Sequence, residues 1–178
     1  MYRRLLPMDE IVNKVKDSGL ISLDLAMYKP SIPIEGLDLA DQLWQGLVLK
    51  EKDFREWIKT NNWQQYAGKA IYIHCSADAI IPTWAFMLVA SKLSGLAHSF
   101  IVGSQLDLEK QLIHTAIHQQ DLNEFKDGRI IIKGCSDISC PDFAMVELVS
   151  FLQPVAKSIM YGEPCSTVPV FKRLETRD

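Results

Sequence analysis

The residues of this chain with the greatest capacity for chemistry are the cysteines of three Cys-Ser dipeptides, Cys75-Ser76, Cys135-Ser136 and Cys165-Ser166. The first two dipeptides lie sixty residues apart in matching surroundings. Each follows an apolar run, and each is followed by an aspartate and by a proline that suits the start of a helix. Thiols between a buried strand and a helix lie where α/β folds place their binding sites. The repeat therefore predicts a functional site without naming a reaction.

Convergence of the three thiols would create a metal site. A helix N-terminus favours the thiolate form of a nearby cysteine, and both Cys75 and Cys135 precede predicted helices. Cys165 follows Pro164 in a segment that we expect to fold back over the strand ends. Thiolate-rich sites bind zinc or iron–sulfur centres, although this spacing matches no zinc-finger or ferredoxin pattern. The predicted metal ligands are Cys75, Cys135, Cys165, Asp78 and Glu163, with His74 and Cys140 as other candidates for a fourth ligand.

The cysteines also have a structural interpretation. A cysteine at a strand end is often a small buried hydrophobe, and this alternative stays open for Cys75 and Cys135. Cys140 breaks the repeat, because Ile81 occupies the matching position. We expect Cys140 to pack at the start of a helix.

The serines of the dipeptides and Lys133 form a second candidate group. Hydroxyls and loop amides at a helix N-terminus bind anions, and a lysine near thiols binds an anion or stabilises thiolates. We therefore predict a cofactor-binding role for Ser76, Ser136, Ser166 and Lys133. The alternatives are capping and Asx turns for the serines, and a lysine chain that reaches solvent. Neither a P-loop nor a dinucleotide-binding fingerprint occurs in the sequence.

Two histidines, His114 and His118, stand four residues apart on a predicted helix. This spacing places both side chains on one helix face, as in zinc-binding helices. No glutamate accompanies them within the run His114-Thr115-Ala116-Ile117-His118. We therefore expect them to lie on a solvated helix face.

The order of elements predicts how these residues are positioned. Apolar strands alternate with helices from Gly68 onward, which is typical of a parallel sheet covered on both faces. The predicted strands are 20–28, 69–75, 99–102 and 129–133, and the predicted helices are 39–47, 51–60, 82–94, 106–118 and 141–158. We therefore predict a three-layer α/β domain with a mainly parallel sheet, a repeated strand–CysSer–helix unit and an N-terminal α+β extension. In the suggested order 2-1-3, strands 69–75 and 129–133 are neighbours and their thiols face one crevice.

Composition limits the function further. The chain has 178 residues, 48% of them hydrophobic, and a net charge of −3, which fits one domain with ample core. This charge argues against a nucleic-acid partner, and no apolar run is long enough to span a membrane. We predict a single domain over 8–178, with 1–7 as an N-terminal extension. The lack of a sustained apolar stretch before Asp9 and the small number of cysteines favour a cytoplasmic protein with reduced thiols.

Five long segments carry a family resemblance: Met8–Val15, Gln45–Arg55, Cys75–Ala85, Lys133–Ser136 and Tyr161–Pro169. They resemble the bacterial domain-of-unknown-function family 2480, and the resemblance extends from Met8 to Arg173. It implies a bacterial cytoplasmic protein and suggests partners among iron–sulfur assembly proteins. It implies no established activity.

Three functions are compatible with these observations. The first, which we favour, is a metal- or iron–sulfur-handling accessory protein with converging thiolates that hold zinc or iron. The second is a thiol-dependent enzyme or sulfur carrier with a cysteine nucleophile, tuned by Lys133 or His74. The third is a non-catalytic interaction module with structural cysteines. A homo-oligomer is compatible with all three.

Overall fold

Short apolar runs bounded by turns form the strands of this protein, and longer segments that bury one face form its helices. The computed structural model describes residues 20–134, 138–163 and 165–174. The predicted extension 1–7 lies outside these residues, and the 8–178 domain bound stays a prediction. The strands of the described part are β1 (Leu20–Asp24), β2 (Ile34–Asp38), β3 (Ala70–His74), β4 (Ser99–Val102), β5 (Arg129–Lys133), β6 (Ser158–Glu163) and β7 (Ser166–Lys172). The helices are α1 (Glu51–Thr60), α2 (Thr83–Leu93), α3 (Gln105–His118) and α4 (Pro141–Leu152).

The described strands form two separate sheets. Sheet A has the order β1-β5-β6-β7, in which only the β6-β7 pair is antiparallel. Sheet B has the order β2-β3-β4 and is wholly parallel. The predicted α/β class with mainly parallel strands is therefore confirmed. Among the described residues, no helix is long and apolar enough to cross a membrane.

The predicted pairing of strands 69–75 and 129–133 is wrong, because β3 and β5 lie in different sheets. Each of these strands has both edges occupied, since β3 pairs with β2 and β4, and β5 pairs with β1 and β6. Of the suggested order 2-1-3, only the pairing of 69–75 with 99–102 is confirmed. The sixty-residue repeat thus places its two strands at equivalent positions of two sheets, not side by side.

The repeat extends into the N-terminal strands. The sequence Leu-Asp-Leu-Ala spans the ends of both β1 and β2, as Leu23–Ala26 and Leu37–Ala40, and each strand ends at the aspartate. Asp24 Oδ1 accepts the N–H of Ala26 at 3.0 Å, and Asp38 Oδ1 accepts that of Ala40 at 2.9 Å. A 3₁₀ turn precedes each central strand, at Trp63–Tyr66 and at Leu122–Phe125. The two sheets therefore share one arrangement, in which a short parallel strand lies beside the central strand and a crossover helix follows the central strand.

Two predicted helices differ from the structure. Residues 39–47 form only the 3₁₀ turn Ala40–Gln42, because Gln45 and Gly46 have φ angles of 53° and 70° that close a turn between Trp44 and Val48. The predicted helix 141–158 ends at Leu152, shortly before Pro154. The segment after it, which includes Cys165, forms the β6-β7 hairpin.

Two hydrophobic cores hold the layers together. In one, α1 and α2 cover sheet B through Phe54, Ile58, Ala85, Val89 and Leu93. In the other, α4 covers sheet A through Ala144, Leu148 and Leu152, which follow one another at a four-residue spacing. Helix α3 joins this second core and also contacts the strands of sheet B. It therefore lies between sheet B and α4.

Candidate functional site

The predicted site residues of the first repeat lie at the carboxyl end of sheet B, just after β3. Cys75 is half-buried against the core beneath α2 and donates its thiol to the carbonyl oxygen of Ala77 over 3.5 Å. Ser76 donates its backbone N–H to Asp38 Oδ1 at 3.0 Å. Asp78 is exposed. The contacts of Cys75 and Ser76 are those of the packing and capping alternatives.

The described site residues of the second repeat and of the C-terminal segment lie on sheet A. Lys133 ends β5, and its Nζ is 4.0 Å from Glu163 Oε2 at the end of β6. Cys165 is exposed in the turn between β6 and β7, and Ser166 begins β7. Cys135 and Ser136 lie outside the described residues.

The described part of the chain holds no group of three closely spaced ligand atoms that includes Cys75, Cys165, Asp78 or Glu163. The structure places these residues on two different sheets. Because Cys135 is not described, the three-thiolate site as a whole stays a prediction.

A different set of ligands does converge, on the seam between α3 and α4. His114 Nδ1 lies 2.7 Å from Glu147 Oε1, and His118 Nε2 lies 2.8 Å from the same oxygen. One ligand atom from each of the three side chains lies within 4.8 Å of the other two. Two imidazoles and a carboxylate are a donor set that zinc and iron accept.

Packing of the two helices explains this convergence. On α3, Ile113 and Ile117 are buried, and each histidine follows one of them in sequence. On α4, Glu147 directly precedes the buried Leu148. A step of one residue turns the side chain by about 100° around a helix, so these polar side chains lie at the rim of the apolar face. They meet there because α3 and α4 contact each other along that rim.

The cluster is accessible and carries a carboxylate. The side chains of His114 and His118 are 51% and 43% exposed, as expected for a solvated face, whereas Glu147 is only 20% exposed. The hydrogen bond from His118, assisted by that from His114, lowers the pKa of Glu147 although partial burial acts in the opposite direction. Glu147 is therefore ionised at neutral pH and available as a ligand.

Aromatic rings flank the cluster on α4. Phe151, one turn after Glu147, meets the ring of His118 edge-on with 5.1 Å between centroids. Phe143, one turn before Glu147, lies 6.0 Å from Lys110 Nζ of α3. The seam therefore pairs Lys110, His114 and His118 with Phe143, Glu147 and Phe151, each set at four-residue spacing.

A large groove elsewhere on the molecule has no comparable chemistry. It has a volume of about 750 Å³ and lies between α4 and the β6-β7 hairpin, where Met145, Val146, Met160 and Val168 line it. Asp142 is the one carboxylate among the described residues that line it. None of the predicted site residues that the structure describes lines this groove.

Residues 9–173 match the family described as "Protein of unknown function (DUF2480)". The chain belongs to the DUF2480 family. No curated protein and no solved structure matches it. The family resemblance seen in the sequence is thus confirmed, and the description of the family assigns no activity.

Sequence reasoning missed Glu147 of this DUF2480 protein. The glutamate stands 33 positions after His114 and 29 after His118, so no local pattern links it to them. One signal was present, because Phe143, Glu147 and Phe151 repeat every four residues beside an otherwise buried helix face. Only the packing of α4 on α3 decides that this row faces the histidines.

Proposed function

We propose that this DUF2480 protein handles metal ions and binds one divalent transition metal through His114, His118 and Glu147. One observation carries the proposal: two helices bring one ligand atom of each residue within 4.8 Å of the others. The histidines would bind through Nδ1 of His114 and Nε2 of His118, the atoms that face Glu147 Oε1. The metal would replace the protons that now lie in those contacts.

The donor set favours zinc or ferrous iron. Imidazole suits both ions, and a carboxylate adds a hard oxygen that iron in particular accepts. Structural zinc sites are closed by four protein ligands, whereas sites that exchange or use their metal keep a position open. Three ligands on an exposed seam therefore support a handling role rather than a structural one.

The thiolate set Cys75, Cys135 and Cys165 is a separate prediction, and the contacts of Cys75 give it no added support. Iron–sulfur assembly proteins as partners and a cytoplasmic location likewise stay predictions. A metal-handling role is compatible with such partners. The described cysteines are free thiols, which is compatible with a reducing compartment.

Metal titration of the purified protein tests the proposal. After removal of metal with a chelator, we expect one Zn²⁺ or Co²⁺ per chain, measured by calorimetry and by the visible absorption of Co²⁺. Glu147→Gln and His118→Ala should each weaken binding by at least about tenfold, since even loss of a residue that only supports a metal ligand costs that much. His98→Gln is the matched control, because His98 is exposed and outside the cluster.

Equal metal affinity in the wild type, Glu147→Gln and His118→Ala would overturn the proposal. A loss of binding confined to Cys75→Ser and Cys165→Ser would favour the thiolate set instead. Far-ultraviolet circular dichroism of each variant separates a lost ligand from a lost fold.

A further inference from the structure

We infer that the metal site takes a small chelating dicarboxylate as its exogenous ligand, with one end on the metal and the other paired with Lys110. This inference rests on the proposed metal site and names what that site binds. It combines three features of the α3–α4 seam: open coordination positions, a lysine one turn away that pairs with no carboxylate among the described residues, and an aromatic ring beneath that lysine.

The described part of the chain supplies three ligands, and the histidine side chains that hold two of them are about half exposed. A divalent ion bound there would keep its remaining positions toward solvent, as in catalytic zinc and non-haem iron sites. An exogenous chelator with two adjacent oxygen atoms can fill such positions. The accessible side of the cluster thus favours a small ligand over a further protein side chain.

Lys110 lies one turn before His114 on α3 and is half-buried. Four residues of helix rise about 6 Å, a span that a dicarboxylate with a short carbon chain can bridge. Within residues 20–134, 138–163 and 165–174, Lys110 has no carboxylate at ion-pair distance, and the ring of Phe143 lies with its centroid 6.0 Å from Nζ. The ammonium group is therefore available to an anion from solution.

The carboxylates nearest to Lys110 in sequence are already engaged. Asp107 accepts hydrogen bonds from the backbone N–H and the hydroxyl of Ser104, in the capping box that begins α3. Lys110 lowers the pKa of Asp107 only through its charge, as the last of several causes. Glu109 accepts from Gln105 and from the hydroxyl of Ser139. Neither carboxylate neutralises Lys110 by direct contact.

The charge and the shape of the α3–α4 seam both favour a dianionic ligand. A divalent ion, the Glu147 carboxylate and the Lys110 ammonium leave a formal excess of two positive charges, which a dicarboxylate neutralises. Phe143, which lies beneath Lys110 Nζ and one turn from Glu147, offers an apolar surface to the methylene groups of such a ligand. A monocarboxylate would satisfy the metal but leave Lys110 without a partner.

Two 2-oxo acids distinguish these roles on the full-length protein loaded with Co²⁺. The probe 2-oxoglutarate has a chelating end and a distal carboxylate, whereas pyruvate has only the chelating end. We expect both to change the visible absorption of bound Co²⁺, and 2-oxoglutarate to bind at least about tenfold more tightly, because a charge-assisted pair with Lys110 adds to its affinity. Lys110→Met should reduce that preference to less than about twofold while leaving the Co²⁺ affinity unchanged.

Lys92→Met is the matched control, since Lys92 is exposed on α2 and should leave the preference intact. Equal affinity of the wild type for the two acids, or an unchanged preference in Lys110→Met, would overturn the inference. If Co²⁺ binds but its spectrum responds to neither acid, the dicarboxylate inference is wrong and the metal site stands. If Co²⁺ does not bind at all, both the inference and the proposed function are wrong.

Discussion

Ser76 and Asp38 join two strand ends of sheet B, because the backbone N–H of Ser76 donates to Asp38 Oδ1 at 3.0 Å. The same oxygen accepts the N–H of Ala40 at 2.9 Å. A single carboxylate thereby holds the loop after β3 against the turn after β2. Ser76, which the sequence marked as a cofactor contact, thus has a structural partner.

Asp38→Ala should destabilise the protein by about 1–3 kcal/mol, since two hydrogen bonds to an ionised acceptor are lost. For a chain of this size, that corresponds to a fall in Tm of about 2–4 °C for each kcal/mol. Asp41→Ala is the control, because Asp41 is exposed in the same turn. An equal Tm for the two variants would show that the Asp38 contacts contribute nothing.

The effect of Asp38 should also depend on pH. Burial raises the pKa of Asp38, but the hydrogen bonds from Ser76 and Ala40 outweigh it, and the pKa lies below its ordinary value. A carboxylate whose pKa is lower in the folded state stabilises the protein above the unfolded-state pKa of about 3.9. That contribution is lost as pH falls through the folded-state pKa. In urea denaturation, the difference in free energy of unfolding between wild type and Asp38→Ala should be largest at about pH 6 and should decrease below about pH 4.

An alanine at Gly134 should destabilise the protein more than an alanine at Gly46. Its φ is +81°, and an added Cβ would lie 2.5 Å from Asp24 Oδ1. Gly46 has a similar φ of +70°, but an added Cβ there meets nothing within 4 Å. Both alanine variants incur the left-handed backbone cost of about 1–2 kcal/mol, and Gly134→Ala should lose about 1–2 kcal/mol more by displacing Asp24 from Ala26. Denaturation of the pair measures the difference, and equal losses would mean that Asp24 moves aside freely.

The cysteines should differ in their rates of alkylation. Burial has the largest effect on the pKa of the Cys140 thiol and raises it; the contact with Ser139 lowers this pKa in part, and the charge of Glu109 raises it further. Cys165 is exposed. Because the thiolate is the reactive form, iodoacetamide at neutral pH should modify Cys165 first and Cys140 last among the three described cysteines, as followed by peptide mass spectrometry. A rate at half-buried Cys75 above that of Cys165 would instead favour the thiol-enzyme hypothesis.

Much of the local structure could be predicted from the sequence. The helix 51–60 and the strands 99–102 and 129–133 have the predicted bounds, because apolar spacing and turn residues act over a few positions. The prediction of a helix over 39–47 was also wrong for a local reason, since left-handed backbone angles at Gln45 and Gly46 allow a turn where the sequence pattern favoured a helix. The β6-β7 hairpin was missed because its alternation is weak around Pro164 and Pro169.

The sequence by itself determined that one unit occurs twice, that the fold is α/β, and that the family is DUF2480. Only the tertiary structure decided which residues meet. Strand pairing depends on which edges are free, and β1, β2, β4 and β6 occupy the edges through which β3 and β5 would have paired. Likewise, His114 and His118 find Glu147 because buried faces of α3 and α4 pack together, and burial acts between segments however far apart they lie in the chain.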